Sequence, residues 1–175
     1  MGRILRIHLH GCLSAGKLHS VSRSPSRAAP DDVGKAIIEQ LQEDGRRPYA
    51  TIGKAVGLSE AAVRQRVQKL VETGVMQIVA VTDPMQVGFH RQAMVAISAT
   101  GDASEIAKRL ADILEVVYLV VIAGSFDILA EIVVTDDEHL LRLVNDQIRT
   151  IPGVLRTETF LYLKLTKQTY NWGAR

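Results

Sequence analysis

Apolar side chains recur along this chain with two different periods, and the change between them falls close to residue 90. Behind Pro30, the residues Val33, Ile37, Ile38 and Leu41 repeat at the spacing of one helix face, with Asp31 placed to cap the start and Asp44-Gly45 to stop it. A second, shorter helix carries Ile52, Ala55 and Val56 on one side. Gly57 can adopt the left-handed conformation that ends a helix, and Ser59 can cap the next. In that third helix Val63, Val67, Leu70 and Val71 form an i, i+4, i+7, i+8 stripe that faces a core. Gly74 closes it, residues 75–81 read as a strand leaving the module like a wing, and Asp83-Pro84 opens a linker that runs to residue 90.

Beyond Arg91 the period shortens. Strands are predicted over 92–99, 116–123, 127–135 and 154–165, and helices over 103–114 and 136–150. The first of these helices turns Ile106, Ala107, Leu110, Ile113 and Leu114 inward, and the second turns Leu140, Leu141, Val144 and Ile148. Gly124-Ser125-Phe126 makes a tight turn between the middle strands, and Pro152-Gly153 leads into the last. The order β-α-β-β-α-β is the ferredoxin-like split unit, an antiparallel sheet with both helices on one face. The fold class is therefore α+β: an N-terminal winged helix-turn-helix followed by a ferredoxin-like domain. Boundaries fall at 1–30 (a flexible basic tail), 31–82, 83–90 (linker), 91–168 and 169–175 (a C-terminal tail).

A sheet covered on one face should alternate apolar and polar residues along its strands. Here VVYLVVIA at 116–123 is apolar throughout, and AMVAI at 93–97 and ILA-IVV around Glu131 nearly so. The chain has no third layer to bury a second apolar face. A second copy, sheet against sheet, is the simplest cover, so the protein is expected to be an obligate dimer.

The segment from Tyr49 to Gln68 carries the functional signal. Two short helices hinged at Val56-Gly57-Leu58-Ser59, the second small and polar on its outer face, match the helix-turn-helix that enters a DNA major groove. The competing reading is an ordinary amphipathic pair with a solvated Arg/Gln face. The short Ala61 and Ala62 followed by Gln65 favour DNA, because the start of a recognition helix must approach base edges closely. Gln65 and Lys69 are expected at base edges, and Arg64 and Arg66 at phosphates. Tyr49, Thr51, Ser59, Ala61, Ala62 and Gln68 complete the expected contact set. Gly34 and Gly53, inside the first two helices, each cost about 1 kcal/mol relative to alanine and predict a softened module. Helix two also starts at Pro48-Tyr49 without a polar cap.

Composition narrows the rest. With 47% hydrophobic and 23% charged residues, the 175-residue chain is globular in character, and no apolar run reaches the roughly 20 residues of a membrane span. The net charge of +2 is unevenly spread: five basic and no acidic side chains in 1–30, seven of each in 31–82, nine basic and twelve acidic in 83–175. The DNA-binding segment is thus neutral overall, so one copy should bind weakly and several copies on one DNA are needed. A single cysteine, Cys12, fits a reducing compartment. Its neighbours His8, His10 and His19 make a metal site conceivable, but incidental placement in a Ser/Gly-rich tail is the stronger reading. That tail is either a mobile basic arm on DNA or an extension without a role, the second being favoured. No P-loop, GxGxxG, CxxC, HExxH or GxSxG motif occurs, and the folded region offers only His90 and His139 as imidazole bases. Asp136-Asp137-Glu138 suits a helix start better than a metal, and Asp112 and Glu115 read as solvated. No catalytic residue, metal or cofactor is expected.

LQEDGR at 41–46, VGLS at 56–59 and V-x-x-R-V-x-x-L from Val63 to Leu70 are followed in register by Gly74-Val75, Asp83-Pro84, Gly88, Gly124-Ser125-Phe126-Asp127 and IPGVLRTETFLYLK. In this order and spacing the chain resembles the Lrp/AsnC (leucine-responsive, feast/famine) regulators over residues 31–168. The resemblance implies a winged helix-turn-helix, a ligand-sensing ferredoxin-like domain that pairs through its sheet, and dimers assembling into tetramers or octamers. It implies an effector, usually an amino acid, bound between subunits at Gly124, Ser125, Phe126 and Asp127. Backbone N–H groups of that turn would receive an α-carboxylate and Asp127 an α-ammonium. The alternative is that Gly124 and Asp127 only build the hairpin. The expected function is sequence-specific regulation on double-stranded DNA in the cytoplasm, at the nucleoid. Two other readings are a nucleoid-organising DNA-wrapping protein and, less favoured, an enzyme of similar architecture acting on sirohaem-type tetrapyrroles.

Overall fold

The structure, a computed structural model, describes residues 29–169. The tail with Cys12, His8, His10 and His19, and the last residues 170–175, lie outside the described part.

Three helices build the N-terminal module: α1 (Asp32–Glu43), α2 (Tyr49–Val56) and α3 (Glu60–Glu72). The Asp31 side chain accepts from the Gly34 N–H at 2.8 Å at the start of α1, and Ser59 accepts from the Ala62 N–H at 3.2 Å at the start of α3. Pro48 precedes α2 and provides no side-chain cap. Gly57 takes a left-handed φ of 72° between the two motif helices. Ile37, Leu41, Ile52, Val63 and Val67 form the core, with Tyr49, Val56, Leu58 and Met76 packed on it.

The second module is a four-stranded antiparallel sheet of β1 (Arg91–Ala99), β2 (Val116–Val121), β3 (Ile128–Val134) and β4 (Val154–Leu161), in the order β2-β3-β1-β4. Helix α4 (Ala103–Ala111) connects β1 to β2, and α5 (Asp137–Arg142) connects β3 to β4. This is the ferredoxin-like arrangement. Both helices pack on one face: Ile106, Leu110, Leu143, Val144 and Ile148 meet Ala93, Val95, Ile97, Ile128, Ala130 and Ile132 in a core separate from the first. Asp136 caps α5 by accepting from the His139 N–H at 2.7 Å, which accounts for the acidic triplet as a helix start.

Register fixes what the other face carries. Tyr118, Glu131, Met94 and Phe160 lie opposite one another across four strands, and Val120, Leu129, Ala96 and Glu158 form the next row. Gln92 and Arg156 lie on the same side by alternation. The bare face is therefore not uniformly apolar, as the strand sequences suggest, but an apolar field interrupted by Gln92, Glu131, Arg156 and Glu158. Tyr118 remains 53% and Phe160 47% exposed in the single chain.

Several expectations are corrected. Residues 75–81 form no strand, and Ile78, Val79 and Val81 are exposed. A strand needs a hydrogen-bonded neighbour, and the three-helix module offers none. Leu114 is 88% exposed because α4 ends at Ala111 and only Ile113 of the following turn reaches the core. The last helix is not uniform: α5 gives way to a π-helical stretch at Leu143–Ile148, closed by Arg149 N–H to Val144 O at 3.0 Å. The wider turn rotates Ile148 back onto the side of Leu143, which is fully buried, and leaves Leu141 exposed. Val71 and Ala55 also face outward. Glu115 is not simply solvated, since one carboxylate oxygen lies 3.1 Å from His139 Nε2.

Of the two helix glycines, Gly53 is a packing requirement and not a soft spot, because its close neighbour is backbone, whereas that of Gly34 is a side-chain end. A Cβ on Gly53 would stand 2.5 Å from the Leu58 carbonyl oxygen, and one on Gly34 2.9 Å from Asp31 Oδ1. Glycine at 53 lets α2 and the turn into α3 approach backbone to backbone. Gly53→Ala is accordingly expected to lower stability by about 1–3 kcal/mol, the range for forced overpacking, although alanine is the better helix former. Guanidinium unfolding followed by far-UV circular dichroism measures this; an unchanged or raised midpoint would refute the close-approach role.

Candidate functional site

The outer surface of α3 follows from its buried stripe. With Val63, Val67 and Leu70 inward, Ala61, Gln65 and Gln68 point away from the core, with Lys69 and Ala62 beside them. Gln65 and Lys69 are exposed, and neither side chain makes a hydrogen bond or close ion pair with the described residues, although the Lys69 ammonium is near enough to Asp31 to help lower its pKa. Gln68 donates to Glu72 at 2.7 Å. Thr51 is exposed on α2, and Ser59 is occupied as the cap of α3.

The two arginines of this helix are committed inside the chain. Arg66 Nη1 donates to both Asp31 carboxylate oxygens, at 2.9 and 2.8 Å, bracing α3 against the start of α1. Arg64 Nη2 lies 2.8 Å from Glu60 Oε1, while its guanidinium carbon sits 5.3 Å from the Tyr49 ring centroid. Glu60, the unfavourable charge near a phosphate backbone, is thereby neutralised, and Tyr49 is tied into the same surface. The structure thus brings Tyr49, Glu60 and Arg64 together at one flank, gives Arg66 a bracing position and leaves Gln65 and Lys69 free to reach outward.

In the second module the turn at 124–127 is held by its last residue. The Asp127 N–H donates to Ile97 O at 2.9 Å, and its Oδ2 accepts from the Ala99 N–H at 2.8 Å. Its carbonyl accepts from the Ile122 N–H at 2.8 Å. The carboxylate therefore pins the turn to the end of β1, and one of its oxygens is already used. The backbone N–H groups of Gly124, Ser125 and Phe126 donate no hydrogen bond within the described residues. Gly124 does not adopt a left-handed φ, and a Cβ there would meet nothing within 4 Å. A glycine-only backbone, the condition for a substitution here to cost stability, is absent.

Arg156 on β4 completes the neighbourhood, its guanidinium carbon 5.7 Å from the Phe126 ring centroid and its Nη2 donating to Glu158 at 2.7 Å. No local sequence signal separates this arginine from a surface charge, because it meets the turn only through strand pairing. Among the described residues no group of three or more His, Cys, Asp or Glu side chains could hold a metal ion. No described helix is long and apolar enough to cross a membrane.

Comparison with known proteins bears on both surfaces. An AsnC-type helix-turn-helix domain family matches residues 31–71, and a C-terminal dimeric alpha+beta barrel domain family matches residues 89–175. The HTH-type transcriptional regulator FL11 of Pyrococcus horikoshii is 35% identical over 145 residues, 82% of this chain and 95% of its own length. The feast or famine regulatory protein of M. tuberculosis, complexed with L-methionine, superposes with a TM-score of 0.74 at 28% identity, covering 82% of this chain and 98% of that one. A Neisseria meningitidis transcriptional regulator, also complexed with L-Met, gives 0.71 at 25% identity, over 81% of this chain and 95% of that one.

The brace at Arg66 has a testable pH signature. The Arg66 guanidinium, and then the Gly34 N–H, hold the Asp31 carboxyl below its ordinary 3.8. A depressed carboxylate contributes stability that is present above its unfolded pKa and lost as pH falls through the lower folded value. Arg66→Ala is therefore expected to melt below wild type at neutral pH, with the gap closing as the pH drops below 3.8 and Asp31 protonates in both. Melting temperatures measured from pH 7 to pH 2 decide this. A gap that persists unchanged in acid would mean that Arg66 acts by packing alone.

Proposed function

The chain belongs to the Lrp/AsnC family of DNA-binding transcriptional regulators, and from that premise we propose how its two modules divide the work. Like its relatives it is a regulator and not an enzyme, which removes the tetrapyrrole reading. Residues 31–82 bind double-stranded DNA, residues 91–168 assemble the protein and bind an effector, and 83–90 link them. The observation that carries the DNA reading is the outer face of α3, where the exposed Gln65 and Lys69 side chains make no hydrogen bond behind the short Ala61 and Ala62. Gln65 and Lys69 read base edges. Tyr49, Thr51, Ser59, Gln68 and Arg64 line the approach to the backbone, with Arg64 exchanging Glu60 for phosphate. Arg66 keeps α3 at its angle to α1.

The module is neutral overall, so affinity comes from several copies on one DNA. The family's C-terminal domain is dimeric, and the bare sheet face with Met94, Leu129, Tyr118 and Phe160 is the surface suited to pairing. Further assembly to a tetramer or octamer would set the spacing of recognition helices, and with it the choice between discrete operator sites and continuous wrapping. The site of action is the cytoplasm, at the nucleoid.

The effector is an amino acid held between subunits beside Gly124, Ser125, Phe126 and Asp127, a reading supported by the L-methionine complexes of two structural relatives. The free N–H groups of the turn suit a carboxylate, and the second oxygen of Asp127 suits an ammonium. Such a ligand alters DNA binding only if it favours one arrangement of the subunits over another.

Gln65→Ala is expected to relax preference at one base position by about 1–3 kcal/mol, whereas Arg64→Ala weakens all sequences alike. Binding to a selected-site library measures both, and an unchanged preference in Gln65→Ala would remove the base-contact assignment. For the effector, Asp127→Asn retains an acceptor for the Ala99 N–H but loses the charge. Calorimetric titration with the twenty common amino acids is expected to show lost binding with the melting temperature preserved. Wild-type binding by Asp127→Asn would reduce Asp127 to a hairpin builder. Residues 89–169 expressed alone are expected to sediment as a dimer; a well-folded monomer at micromolar concentration would contradict pairing through the sheet.

A further inference from the structure

We infer that Arg156 is the carboxylate anchor of the effector site, an assignment that rests on the reading of the 124–127 turn as an amino-acid site. The turn by itself offers only neutral N–H donors, and its one charged group, Asp127, is negative and partly used by the Ala99 N–H. A zwitterion binding there lacks a cation for its carboxylate. Arg156 supplies it from β4, opposite Ser98 and one residue from the Ala99 that Asp127 holds. Its guanidinium already lies over the Phe126 ring, 5.7 Å from the centroid, so the turn and the arginine are one surface.

Arg156 also has donors to spare. The only side-chain hydrogen bond it makes within the described residues is from Nη2 to Glu158, which leaves Nε and the Nη1 side of the fork open. Arg149 and Arg156 both line a cavity of about 280 Å³ at the edge of β4 that includes no residue of the turn, and the Arg149 guanidinium is tied to Thr157 and Asn145, each at 2.8 Å. Of the two arginines, Arg156 is the one that can open its fork to a ligand. Its ion pair with Glu158 is no obstacle, because it engages Nη2 alone and a ligand can take the remaining donors with the pair intact. Arg156 and Glu158 lie on the bare face of the sheet, so pairing of two copies would draw them out of water. A carboxylate bound to the open fork then gains strength from the lowered dielectric.

The test uses the full-length protein, the twenty common L-amino acids as probes and, for the tightest binder, its carboxamide. Wild type is expected to prefer the amino acid over the carboxamide. Arg156→Gln should bind the amino acid about 10- to 100-fold more weakly, as expected for charged hydrogen bonds, and should lose that preference. Arg156→Lys, which keeps the charge, should retain the preference. A merely structural arginine would change affinity for both probes equally. If Arg156→Gln binds and discriminates as wild type does, the anchor assignment is overturned while the effector site stands. If wild type binds none of the twenty, the effector reading falls and the anchor falls with it.

Discussion

A four-stranded sheet with both of its helices on one side has a second side that must go somewhere, and the described residues supply no element to cover it. The core beneath α4 and α5 is complete without it: Ile97, Ile128, Ile132, Leu143 and Ile148 are fully buried and no polar residue is. The opposite face, with Met94, Leu129, Tyr118, Val120 and Phe160, is left uncovered by the described residues and loses its apolar contact with water when a second molecule pairs with it. A dimeric domain follows from this one-sidedness. Polar residues set into that face, Gln92 with Glu131 and Arg156 with Glu158, hydrogen-bond to one another and interrupt the apolar field.

The DNA-binding module obeys a tighter constraint at smaller scale. An eight-residue α2 cannot form a stable helix alone, and its place depends on backbone approach at Gly53 and on the left-handed turn at Gly57. The same logic governs its charges. Arg66 fixes α3 to the start of α1 through Asp31, and Arg64 pairs with Glu60 within α3, which leaves Gln65 and Lys69 to carry the sequence information in the proposed reading. A recognition helix that is rigid before binding loses less entropy on meeting DNA.

Coupling between the two modules must pass through assembly. Their hydrophobic cores are separate, and the intervening residues 75–83 form neither helix nor strand. At the proposed site, an effector beside the 124–127 turn and Arg156 would lie on the sheet face suited to pairing. From there it can bias how subunits meet, and through that the spacing of the recognition helices.

Local physics made much of this legible from sequence. Caps at Asp31, Ser59 and Asp136, the left-handed Gly57 and the periodic stripes placed every helix and all four strands of the sheet, because each signal acts within a few residues. The helix-turn-helix and its outward Gln65 followed from the same spacing. What failed needed a partner distant in sequence. The segment 75–81 has strand composition but no neighbour, Leu141 lost its place when a π turn rotated the helix, and Gly53 looked weak until Leu58 was seen above it. The candidate sites divide likewise. The sequence by itself determined the helix whose outer face carries Gln65 and Lys69 and the position of the turn at Gly124–Asp127. Only the tertiary structure decided that Arg66 faces Asp31, that Asp127 is spent on Ala99, and that Arg156 stands over Phe126, thirty residues away along the chain. Strand pairing and helix docking bring these residues together, and no local spacing records them.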